Sequence, residues 1–63
     1  MEDFITWVTS QISDLEKRIM ELEKMIAFGK RVGLDVAKYE IELARLKKEL
    51  VKWRKALEEV KRT

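Results

Sequence analysis

The sequence predicts an all-α fold, an antiparallel two-helix coiled-coil hairpin that pairs into a dimeric four-helix bundle. Charged residues make up 41% of the 63 residues, proline is absent and glycine occurs only twice, a composition that suits long solvated helices rather than strands. Apolar residues recur at alternating spacings of three and four in two separate strings, the a/d signature of a coiled coil. Between the strings lies MIAFGKRVGLDVAKYE, residues 25–40, which holds both glycines and an aspartate suited to capping.

Helix one, expected over about 3–29, carries Ile5, Val8, Ile12, Leu15, Ile19, Leu22 and Ile26, with Gly29 in the next slot. The turn is expected over about 30–35. There Gly29 or Gly33 can take the left-handed conformation past a helix end, Asp35 can cap the next helix, and Leu34 can staple onto Tyr39. Helix two, expected over about 36–62, repeats the rule with Val36, Tyr39, Leu43, Leu46, Leu50, Trp53, Leu57 and Val60. A fold point between Val32 and Gly33 sets every a residue opposite a d residue, from Gly29 with Val36 to Ile5 with Val60. The same register places opposite charges face to face. At the flanking e positions these are Lys30 with Glu40, Glu23 with Lys47 and Glu16 with Arg54, and at g positions Arg18 with Glu42. A domain-swapped pair of chains would make the same contacts.

A chain of this length forms at most one domain, with a core contributing only ~3–5 kcal/mol. Disulfides and thiolate or imidazole metal sites are excluded, because cysteine and histidine are both absent. Oligomerisation or a partner is the remaining source of stability. The abundance of Lys, Arg and Glu leans towards a thermostable or designed chain. No apolar run approaches the ~20 residues of a membrane span, and the start MEDFITWV lacks a basic region ahead of its apolar residues, so a soluble, cytoplasmic protein is expected.

A lone hairpin looks incomplete, since Trp53 is bulky for an inner position of a two-helix seam. Apolar residues also fall off the seam. Ala37, Ile41, Ala44 and Val51 form a second line on helix two, with Met20 and Ala27 on the corresponding side of helix one. These six are the candidate association surface for a homodimer or for another helical protein. Phe4 with Trp7, and Met25 with Phe28, form smaller candidate patches near the chain start and the turn.

Catalysis is not expected. With neither histidine nor cysteine there is no imidazole base, thiol nucleophile or soft metal ligand. Glu16 and Glu23 already have cationic partners, and Thr6, Thr9, Ser10 and Ser13 have no base beside them. No catalytic residue, cofactor, metal or small-molecule substrate is therefore assigned. Charge offers an alternative, because residues 35–63 carry nine Lys/Arg against six Asp/Glu. Lys38, Arg45, Lys48, Lys52, Lys55 and Arg62 fall at c and f positions along one outward ridge, and such a ridge can follow phosphates. Outward positions of any soluble coiled coil are also charged, and the net charge is only +2. Protein interaction is thus the first reading and a small nucleic-acid-binding regulator the second. A designed or excised coiled-coil segment without its own activity is the third. In length and architecture the chain resembles the Rop-type plasmid regulators, RNA-binding dimers of helical hairpins. It shares no residue motif with them, so the resemblance transfers no site.

Overall fold

Asp3 starts the first helix: its backbone is extended, and its Oδ1 accepts a 2.7 Å hydrogen bond from the Thr6 N–H, satisfying one of the free donors of the first turn. The computed structural model describes residues 3–62. Within them α1 (Phe4–Arg31) and α2 (Ala37–Arg62) pack against each other as a hairpin about 49 Å long.

The turn is built by backbone hydrogen bonds. Leu34 N–H donates to Gly29 O at 2.8 Å and Gly33 N–H to Lys30 O at 3.3 Å, the paired bonds of a Schellman end. Gly33 holds the left-handed conformation, with φ of 79°. Helix α1 runs through Gly29, whose role is close approach: a Cβ there would lie 2.5 Å from Cγ1 of Val36. Only glycine lets the incoming chain pass so near. Asp35 then caps α2, its Oδ1 accepting from Ala37 N–H at 3.0 Å.

All four charge pairs expected from the register form. Arg18 Nε reaches Glu42 at 3.2 Å, Lys30 reaches Glu40 at 3.2 Å, Lys47 reaches Glu23 at 3.6 Å, and Arg54 donates to Glu16. Each pair is partly exposed, so it contributes only ~0.2–1 kcal/mol. Together they select the alignment. Slipping one helix by a heptad leaves the e edge with one like and one opposite pair in place of three opposite ones, Glu23 with Glu40 and Glu16 with Lys47 in one direction, Lys30 with Lys47 and Glu23 with Arg54 in the other, so both slips lose charge complementarity.

Burial is unequal along the seam. Helix α1 buries Val8, Ile12, Ile19, Leu22, Ile26 and Gly29, whereas α2 buries none of its residues and only Val36, just before it, is enclosed. The β-branched side chains of α1 keep their bulk near their own backbone. The longer leucines and Trp53 of α2 lie over them and are only half-buried. Among the described residues, no helix is long and apolar enough to cross a membrane.

Candidate protein-interaction surface

The seam divides the hairpin into two long edges, one lined by the e positions and one by the g positions. Three of the four ion pairs bridge the e edge. The g edge carries one, Arg18–Glu42, in which Arg18 Nε and Nη2 donate to the two carboxylate oxygens of Glu42 at 3.2 and 3.5 Å.

On either side of that pair the g edge opens into an apolar groove. At the open end of the hairpin, Trp7 from α1 and Trp53 from α2 meet with ring centroids 6.0 Å apart and planes tilted by 48°, within the range for attractive aromatic pairs. With Phe4, Ala56, Leu57 and Val60 they line a groove of about 410 Å³. Ala56 makes the opening, because a small side chain on α2 leaves the rings and Leu57 uncovered. At the turn end, Met25, Phe28, Leu34, Val36 and Tyr39 line a second groove of about 310 Å³. Phe28, 66% exposed, stands at its rim. Here the small residue is Gly29, which lines the floor.

The six residues of the expected association surface, Ala37, Ile41, Ala44, Val51, Met20 and Ala27, all lie exposed. None of them lines either groove. Among the described residues Ile41, at 71%, is the most exposed of the large apolar side chains. The basic ridge is likewise solvent-facing: Lys38, Arg45, Lys48, Lys52, Lys55 and Arg62 are exposed. Arg62 is tied to Glu58 at 3.6 Å, and Lys52 borders the tryptophan groove. Glu16 and Glu23 are held in ion pairs with Arg54 and Lys47. Of the hydroxyl line, Thr9 turns back to donate to Ile5 O at 2.8 Å, a local bond that occupies the hydroxyl within its own helix.

The joining of Trp7 to Trp53 is the feature that separate inspection of the two strings misses. Its signal is present in the register, since the alignment that sets Arg18 opposite Glu42 also sets Trp7 opposite Trp53. The electrostatics add one shifted group. The Asp3 carboxyl lies below its usual range because the Thr6 backbone N–H, and then the Thr6 hydroxyl, stabilise its charged form. The sequence matches no known family model, and no curated protein or solved structure is significantly similar to it.

Proposed function

We propose that the chain is a non-enzymatic interaction module, a helical hairpin that docks another helix against its g edge and completes there a bundle of more than two helices. The observation carrying this reading is the tryptophan groove. A pair of indoles together with Phe4, Val8, Leu57 and Val60 line an open concavity on a chain whose second helix has no buried residue. Aromatic residues grouped in this way are the side chains most often responsible for binding energy at interfaces. A helix laid along the g edge would also cover the outer faces of Leu57 and Trp53, which α1 leaves half open.

Trp7 and Trp53 are the chain's two tryptophans, so their fluorescence reports on the groove directly. Raising the concentration from low micromolar to millimolar should shift the emission to the blue and protect it from acrylamide as the groove is occupied. Emission and quenching that hold their dilute values while the chain associates would contradict docking at this surface. The e-edge line through Ala44 is the rival surface for the same function.

The second reading is phosphate binding by Lys38, Arg45, Lys48, Lys52 and Lys55. Its support is that all five are exposed along one ridge of α2. It predicts affinity for duplex DNA or RNA at low salt, falling steeply as salt rises, with about one counterion lost from the slope per removed contact.

A further inference from the structure

Resting on the docking reading, we infer that the occupant of the g edge is a second copy of this chain, related by a two-fold axis perpendicular to the helices, so that the open end of each hairpin lies over the turn of the other. The two grooves make this arrangement self-complementary. An axis crossing α1 at Glu16 sets Phe4 against Phe28 of the second copy and Trp7 against Met25 of the second copy. Each groove then receives aromatic or methionine side chains from the rim of the other, and both are filled by one operation.

The residues between the grooves supply an independent check. The same axis sets Asp14 against Arg18 of the second copy, an opposite pair made twice. Helix α2 has its own charge pattern, and it sets Glu42 against Lys52 of the second copy and Arg45 against Glu49 of the second copy when the axis crosses at Lys47. The hairpin itself fixes which part of α2 is level with Glu16. The a/d register puts Glu49 there, midway between Ala44, which the Arg18–Glu42 pairing gives, and Arg54, which the Glu16–Arg54 pairing gives. The charge pattern of α2 thus places its crossing at Lys47, close to the level that the α1 pattern requires. One like-charged contact remains, Asp35 with Glu59 of the second copy, at the rim.

The competing two-fold runs parallel to the helices and also matches charge, for it sets Glu21 against Arg45 of the second copy. It fails on the apolar residues. Met25 and Phe28 would face Asp35 and Lys38 of the second copy, and the turn groove would stay unfilled by any apolar group.

A spin label on a cysteine introduced at Arg31, an exposed outward position in a chain with no other cysteine, separates the two. In the perpendicular arrangement the labels lie ~45 Å apart along the bundle axis at 1.5 Å rise per residue. In the parallel arrangement they sit at one level, separated by about 25 Å, the width of a bundle of helices ~10–12 Å across. A pulsed dipolar distance near the longer value supports the inference. A distance near the shorter value overturns it while leaving docking at the g edge intact, provided the tryptophan emission still shifts with concentration. A chain monomeric up to millimolar concentration overturns the second copy as occupant. As a second readout, Phe4→Glu and Phe28→Lys should each weaken the dimer ~10-fold or more, and the two together should recover most of the loss. Absence of recovery, with helicity retained, counts against this register.

Discussion

Along the e edge of the hairpin, Lys30–Glu40, Glu23–Lys47 and Glu16–Arg54 bridge the helices once per heptad, while along the g edge a single bridge, Arg18–Glu42, separates two apolar grooves. Both edges flank the same seam and are cut from the same two helices. The difference lies in what each contributes. Exposed ion pairs add little stability, ~0.2–1 kcal/mol apiece, and act by penalising heptad slips. The exposed faces of Phe4, Trp7 and Phe28 remain available to whatever covers them. Charge on the e edge therefore favours one alignment of the two helices, while the g edge keeps apolar surface exposed.

Both edges depend on the turn that brings the helices together, so the largest change in stability is expected there. Gly29→Ala puts a methyl group against Val36 and should destabilise the fold by about 1–3 kcal/mol, as overpacking does, even though alanine favours helix over glycine. Chemical denaturation measures this. Adding Val36→Ala should recover part of the loss by restoring the space, and no recovery would mean that the close approach is not the cause.

A smaller effect sharpens the role of the e edge. Glu23→Lys replaces an attraction with a repulsion across from Lys47, and should cost about 0.5–1 kcal/mol at low salt, shrinking as salt screens the pair. Exchanging both partners, Glu23→Lys with Lys47→Glu, should restore stability. A cost unchanged by salt or by the exchange would show that something other than charge holds the alignment.

The smallest effect concerns the helix start beside the tryptophan groove. The folded Asp3 carboxyl titrates below its usual 3.8, so its capping bond is fully present above the ordinary carboxylate range and is lost as pH falls through the lowered value. The Thr6 amide resonance should therefore move on acidification with a midpoint below 3.8. A midpoint at or above that value would mean the cap is not formed in solution.

Much of this architecture is legible in the sequence because two periodic strings and a glycine-containing turn constrain one another. The alignment of Gly29 with Val36, and the four charge pairs, follow from position alone. Which glycine turns the chain does not, since spacing permits either; the structure uses Gly33 for backbone conformation and Gly29 for clearance. The grooves are less legible. Periodicity assigns Trp7 to an outward position and Trp53 to the seam, and only the angle at which the helices meet, with Ala56 beside the rings, makes one surface of them. Sequence patterning likewise draws the eye to the continuous line from Ala37 to Val51. Continuity along one helix says nothing of concavity, which needs two helices and a small residue at the right level.

Whether association runs through the g edge can be read from sedimentation equilibrium of three chains: the wild type, Trp7→Glu and Ala44→Glu, from low micromolar to millimolar concentration at moderate and high salt. The wild type and Ala44→Glu should form the same dimer, while Trp7→Glu shifts towards monomer with its helicity retained by circular dichroism. The opposite pattern, with Ala44→Glu dissociating and Trp7→Glu unaffected, would contradict association through the g edge and place the interface on the e edge.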